Sequence, residues 1–295
     1  MPETDTVVDS PAGPLNAILC TPDGPARGGL VLSDGSGPAD RHAWAGVPAW
    51  LAARGIATLR HDKPGCGGSP GDWRAQTLAD RAAEAIAALG ALRKQAGVER
   101  AGLIGYSQGG WVSLLAAVTY PDQVDYVVTL GGPYVGIEEQ ERTRLARVMR
   151  REGRSEESVA AGLAWADERA ARLAAGEDPA QVLADQPEAE NSPPYDTVEE
   201  LGFFARNLTF DPGALLPFLQ CPLMAFFGAA DEHVPVERSL AVLGERLPAR
   251  HRGVNGIAVL PGVGHMLYPV AARENPQLSP GFLPVLDAFL DQVTH

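Results

Sequence analysis

The stretch Ala101-Gly102-Leu103-Ile104-Gly105-Tyr106-Ser107-Gln108-Gly109-Gly110-Trp111 decides the fold. Leu103 and Ile104 form a short apolar run, as expected of a buried parallel strand. Gly105 to Gly109 has the pattern G-x-S-x-G, and an Ala- and Leu-rich helical stretch follows from Trp111 to Val118. A strand, a tight turn carrying a serine and a helix together predict a strained turn that lifts Ser107 above the sheet. Gly105 and Gly109 remove Cβ atoms that would collide there. Gly110 lets the new helix lie close to the sheet. The backbone N–H of Gln108, at the helix start, points at any negative oxygen formed beside Ser107. The plainer alternative is a glycine-flanked serine in an ordinary strand-to-helix loop.

Working outward, Gly29-Leu30-Val31-Leu32-Ser33 reads as a buried strand that ends in Asp34-Gly35-Ser36-Gly37-Pro38. Such a loop exposes backbone donors, and Ser36 is the candidate for a second N–H facing the same oxygen. A simple turn is the alternative. Ile56 to Arg60 is the next strand and leads into His61-Asp62-Lys63-Pro64-Gly65-Cys66-Gly67-Gly68-Ser69. This is not a phosphate loop, because Lys63 precedes the glycines. Asp62 is expected to tie the loop through backbone N–H groups, and Lys63 and His61 are minor candidates for substrate contact. A helix covers 43–54. Thr77 and Asp80 form a capping box at the start of a longer one, in which Leu78, Ala82, Ile86, Leu89 and Leu92 make a buried face.

Val124 to Leu130 is a further strand, after which the composition changes. Residues 135–212 hold no convincing strand. Glu138 to Arg151 is charged and helical, Ser155 starts another helix, Pro187, Pro193 and Pro194 interrupt, and Val198 to Asn207 resumes. The expectation is a helical cap insertion at 135–212 over the strand ends of a core made by 1–134 and 213–295. Leu201, Phe203, Phe204, Phe210 and Phe218 give the insertion a large apolar surface. Most should pack it onto the core. Tyr106, Trp165, Phe203 and Phe204 are the candidate substrate contacts, since small-molecule sites are mostly apolar.

The sheet resumes at Cys221 to Gly228, followed by Asp231-Glu232-His233. A carboxylate just past a buried strand is placed to accept an imidazole N–H; Asp231 is the choice, with Glu232 second. Gly256 to Leu260 is the last strand, and His265 follows in the glycine turn Pro261-Gly262-Val263-Gly264. The order Ser107, Asp231, His265 fits a serine hydrolase of this layout. His42, His61, His233, His251 and His295 lack that position. His233 shares a loop with Asp231 and is not expected to face it.

These three separated motifs resemble the α/β-hydrolase superfamily. Gly35 to Arg41 with Asp62 to Ser69 is similar to a bacterial esterase and serine-aminopeptidase-like group. The resemblance implies an α/β fold with a mostly parallel central sheet flanked by helices and carrying a cap. It also implies a serine hydrolase acting on a carboxylic ester or related acyl bond of a small, largely apolar substrate. Ser107 would be the nucleophile, His265 the base, Asp231 its partner, and Ser36 with Gln108 the oxyanion hole. Two departures stand out. Asp34-Gly35 replaces the common His-Gly, which would weaken an oxyanion if the carboxylate faced the site, and Lys63-Pro64 replaces the usual Arg. An acyltransferase or cyclase using the same residues, and a catalytically silent binding protein, stay open.

The 295 residues carry 24 Lys plus Arg against 37 Asp plus Glu, a formal charge of −13. That argues against nucleic acid and against attachment to an anionic membrane. No apolar run approaches the ~20 residues of a membrane span. Cys20, Cys66 and Cys221 are too scattered for a disulfide framework or a metal site. With an acidic N-terminus unlike a signal peptide, they point to a reducing, cytoplasmic setting. No metal or organic cofactor is expected, the only partner expected is the small acyl substrate, and homodimerisation is left open.

Overall fold

The computed structural model describes residues 2–44, 46–187, 197–249, 253–267 and 278–294. Pro193, Pro194, His251 and His295 lie outside the described residues. The strands are β1 (Glu3–Ser10), β2 (Gly13–Cys20), β3 (Gly28–Ser33), β4 (Ile56–His61), β5 (Ala101–Tyr106), β6 (Val127–Leu130), β7 (Leu223–Gly228) and β8 (Gly256–Leu260). They form one sheet in the order β1-β2-β4-β3-β5-β6-β7-β8. β2 is antiparallel to β1 and β4, while β4, β3, β5, β6, β7 and β8 pair in parallel. Every residue of β3, β6 and β7 is buried, which explains their unbroken apolar runs in place of alternation.

Helices cover both faces. α1 (Val47–Ala52) and α10 (Phe282–Val293) bury Leu51, Phe282, Leu286 and Leu290 against one face. α2 (Leu78–Ala96), α3 (Gln108–Thr119) and α9 (Val236–Arg246) cover the other. α2 has the expected capping box between Thr77 and Asp80 and ends on Gly97 at φ +65°. α1 is shorter than the helix read over 43–54. Gly46, at φ +81°, holds its N-cap position, and Gly55 (φ +78°) follows its end.

Between β6 and β7 lie α4 (Ile137–Arg151), α5 (Glu156–Ala174), α6 (Pro179–Ala184), α7 (Val198–Asn207) and α8 (Pro212–Leu215). Ser155 caps α5 by accepting from the Ser158 N–H at 3.2 Å. α4 and α5 enclose a small apolar cluster of their own around Leu145, Met149 and Val159. Trp165, Leu173, Val182, Leu201 and Phe204 join the main core beneath them. Phe218 is 65% exposed and does not pack inward.

The register fixes where the chain can do chemistry. Ser33 pairs with Gly105, Tyr106 with Leu130, Leu130 with Phe226, and Gly228 with Leu260. The residues just past β3, β5, β7 and β8 therefore emerge along one edge. These are 34–37, Ser107, 229–231 and 261–265.

Candidate active site

Ser107 sits at φ +51°, ψ −119°, outside the regions open to an L-residue without strain. What holds it there is close backbone packing. A Cβ on Gly105 would come 2.0 Å from the Gly109 carbonyl oxygen, and one on Gly109 would come 2.2 Å from that of Ser33. The Ser107 N–H donates to Leu130 O at 2.8 Å, locking the turn to the neighbouring strand end. As the first residue of α3, Gln108 has an N–H with no acceptor inside the helix. A Cβ on Gly35 would stand 3.3 Å from that of Ser107, so the 34–37 loop lies directly against the serine turn.

Asp231 is buried, its carboxylate fully committed. Oδ2 accepts from His265 Nδ1 at 2.8 Å, and Oδ1 accepts the backbone N–H groups of His233 and Val234 at 2.8 and 2.9 Å. Glu232 instead pairs with Arg151. The Asp231 and His265 loops are zipped together: Ala229 N–H donates to Leu260 O and Ala230 N–H to Val263 O. With Nδ1 of His265 engaged by the carboxylate, Nε2 is left for a proton transfer. The imidazole lies over Gly131, whose Cβ would come within 3.2 Å of Nδ1. The ring packs against Tyr106 at 5.1 Å between centroids. Ser107 follows Tyr106 in the chain and donates to the residue before Gly131, so the two side chains share one small region. Among the described residues, no hydrogen bond joins the Ser107 hydroxyl to His265.

His233 does face the site. Its ring is 5.1 Å from that of His265, and burial together with the nearby His265 pulls its pKa below the usual imidazole value. Adjacency in sequence to Asp231 serves a different end from pairing: the His233 backbone N–H, not its ring, meets the carboxylate.

A cavity of about 400 Å³ opens onto Ser36, Ser107 and Gln108. Phe203 and Phe204 from α7 line it as read from the sequence, with Trp73 and Trp111 completing the aromatic surface. Trp73 meets Phe203 edge-on at 5.6 Å. The other two candidate contacts lie elsewhere. Trp165 does not line this cavity; it is 7% exposed and packs in the main core with Arg172 near its ring. Tyr106 packs on His265, with its hydroxyl 2.6 Å from Met266 Sδ, and is not on the cavity wall. The sequence reading missed a polar stripe on α4, where Gln140, Glu141 and Arg144 share the wall with Ile137. Spacings of three and four residues put them on one face, a signal masked by the charge all round that helix.

The loop around Asp62 is structural. Its carboxylate accepts the Arg41 N–H (2.7 Å), the Arg41 guanidinium (2.8 Å) and the Ser69 hydroxyl (2.9 Å). Lys63 is 3% exposed and points away from the cavity to the carbonyls of Gly35 and Gly37. The Asp34 side chain also turns from the cavity. It borders a small void with His61, Lys63, Arg81 and Glu84, where burial raises its pKa against the pull of Lys63 and Arg81.

A model of the family described as the alpha/beta hydrolase family matches residues 29–277. Over 72 residues the chain is 42% identical to a triacylglycerol lipase from Pseudomonas fragi, a stretch that covers 24% of each chain. The chain thus spans about a quarter of that relative's length. Among solved structures it is similar to the alpha/beta hydrolase GrgF from Penicillium sp. sh18, with a TM-score of 0.67, 20% identity, and coverage of 100% of this chain and 99% of that one. It is also similar to Est1E from Butyrivibrio proteoclasticus with ferulic acid bound, at a TM-score of 0.60, 19% identity, and coverage of 97% and 96%. At these identities the structural likeness speaks for the fold alone.

Proposed function

The chain belongs to the alpha/beta hydrolase family, and from that premise we propose that it is a serine hydrolase cleaving a carboxylic ester of a small, largely apolar substrate. The observation that carries this is the 2.8 Å contact between the buried Asp231 carboxylate and His265, next to a serine held at φ +51°. Ser107 Oγ attacks the ester carbonyl. His265 takes the hydroxyl proton at Nε2 and returns it to the departing alkoxide. Asp231 holds the ring in the Nδ1–H tautomer and stabilises the imidazolium. The backbone N–H groups of Ser36 and Gln108 stabilise the tetrahedral oxyanion. Water, activated by His265, then hydrolyses the acyl-enzyme. The Ser107–His265 hydrogen bond forms with substrate in place, as ligand-free sites often leave such bonds long. These side chains complete the acyl-transfer chemistry, and the reading calls on no cofactor.

In this reading the inserted helices, within 135–212, act as the cap. Phe203 and Phe204, which line the cavity, hold the apolar part of the substrate.

The test uses acyl esters of graded chain length, with a ferulate ester added because Est1E was solved with ferulic acid. Wild type should hydrolyse at least one and give products that together gain one water in mass. An isomer or adduct instead would replace hydrolysis with acyl transfer. Ser107→Ala should reduce turnover by roughly three to six orders of magnitude. A phosphonate probe should label Ser107. Near-normal turnover by Ser107→Ala would remove the serine from the mechanism.

A further inference from the structure

Two cations lie buried behind the serine turn, and neither lines the cavity itself. Lys63 is 3% exposed and Arg81 5%. Lys63 Nζ donates to the carbonyls of Gly35 and Gly37, the latter at 2.5 Å. Arg81 reaches both loops at once: Nη2 donates to Asp34 O at 2.9 Å and Nη1 to the side-chain Oε1 of Gln108 at 2.5 Å. Burying a cation this deeply costs several kcal/mol unless it is paired, and burial lowers the pKa of both, Lys63 strongly. Asp34 and Glu84 share the same void and partly offset that cost. Elsewhere on this surface a salt bridge could be made at far less expense, so what the two cations hold matters more than that they are paired.

They hold three carbonyls of the 34–37 loop, those of Asp34, Gly35 and Gly37, and the side chain of Gln108 at the start of α3. We propose that Lys63 and Arg81 are positioning residues that aim the Ser36 and Gln108 N–H groups, acting through the loop carbonyls and the Gln108 side chain and never touching substrate. This rests on the reading of those two N–H groups as the oxyanion donors. The argument is geometric. A trans peptide is planar, so its C=O and the following N–H point in opposite directions. Anchoring Gly35 C=O inward on Lys63 turns the Ser36 N–H outward. Anchoring Gly37 C=O removes the next rotation, and since Pro38 follows, no donor is sacrificed. Without these anchors the loop has two glycines, one at φ +80°, and an exposed serine tip free to swing. Arg81 supplies the remaining constraint, the spacing between the two donors, because one guanidinium bridges the loop before Ser36 and the side chain of Gln108.

The experiment measures kcat and KM on p-nitrophenyl butyrate, and thermal unfolding, for wild type, Lys63→Met, Lys63→Arg, Arg81→Lys, Gln108→Ala and the Arg81→Lys/Gln108→Ala double variant. A misaimed donor costs transition-state binding alone. Lys63→Met should therefore lose about 10- to 100-fold in kcat with KM within about threefold, and Lys63→Arg should recover most of it. Lys63→Met with kcat within twofold of wild type would overturn the proposal, as would a loss that Lys63→Arg does not rescue. If Lys63→Met does not fold, the double variant decides. A bridge predicts that Arg81→Lys and Gln108→Ala each lower kcat and that the double variant is little worse than the poorer single. Losses that multiply would overturn it. Folded wild type inert on all esters and unlabelled by the phosphonate would instead remove the serine-hydrolase reading, and this one with it. An active wild type with indifferent variants removes only this one.

Discussion

The cavity has two sides built on different principles. The core side, with Ser36, Ser107 and Gln108, is set by backbone constraint: a positive φ at Ser107, and glycines whose Cβ atoms would land 2.0–2.2 Å from carbonyl oxygens. The other side comes from α4 and α7, ordinary helices that each turn one stripe inward. On α4 the stripe is Ile137, Gln140, Glu141 and Arg144; on α7 it is Glu200, Phe203, Phe204 and Asn207. Both repeat the offsets 0, 3, 4 and 7. Nothing in the backbone of either helix demands those particular side chains. The core side can hardly vary without losing the turn, whereas the helical side can be rewritten residue by residue. Under the proposed function, chemistry would be fixed by the first and selectivity by the second.

That division can be broken by measurement. Asp231→Asn keeps the shape of the loop but cannot stabilise the imidazolium, so kcat should fall about 10³- to 10⁴-fold with KM little changed; stopped assays on any competent ester report it. Gly109→Ala forces a Cβ to within 2.2 Å of Ser33 O and 2.8 Å of Asp34 O. It should lose about 3 kcal/mol of stability by urea unfolding, well beyond an average substitution. Phe203→Ala or Phe204→Ala on the helical side should leave kcat within a few-fold but shift the preferred acyl length and raise KM roughly tenfold. A selectivity profile unchanged by both would contradict the division.

The smallest effect sharpens it through pH. Burial lowers the pKa of His61 on the core side and of His233 at the cavity below 6.5. The unfolded chain then binds protons that the folded chain refuses. Their contribution to stability is complete above pH 6.5 and is lost as pH falls through that value toward the lowered ones. His61→Asn and His233→Asn should each flatten the acid side of a plot of unfolding free energy against pH. His233→Asn alone should also alter the acid limb of kcat/KM, because only its ring faces His265.

The backbone-built side was readable in the sequence and the helical side largely was not. Gly105, Ser107 and Gly109 announce themselves because a turn that tight tolerates few residues. Asp231 and His265 are found by their place just past strands, which the sheet register turns into a shared edge. By contrast, nothing in composition says which way a charged helix faces. Glu138 to Arg151 reads only as charged and helical, yet Gln140 and Arg144 reach the cavity. Trp165 and Phe204 look alike as apolar residues of the insertion and both join the main core, and only packing decides that the second also reaches the cavity wall. Lys63 reads as a minor contact for substrate, because a cation in a glycine loop gives no hint that it bonds the carbonyls of Gly35 and Gly37.

α4 is lashed to the loop that carries the carboxylate. Arg147 Nη1 donates to Asp231 O at 3.0 Å and Val234 O at 2.7 Å, and Gln140 Nε2 donates to His233 O at 2.8 Å. Arg151 pairs with Glu232 in the same loop. Any shift of α4 would therefore pull on the loop that holds the Asp231 carboxylate against His265.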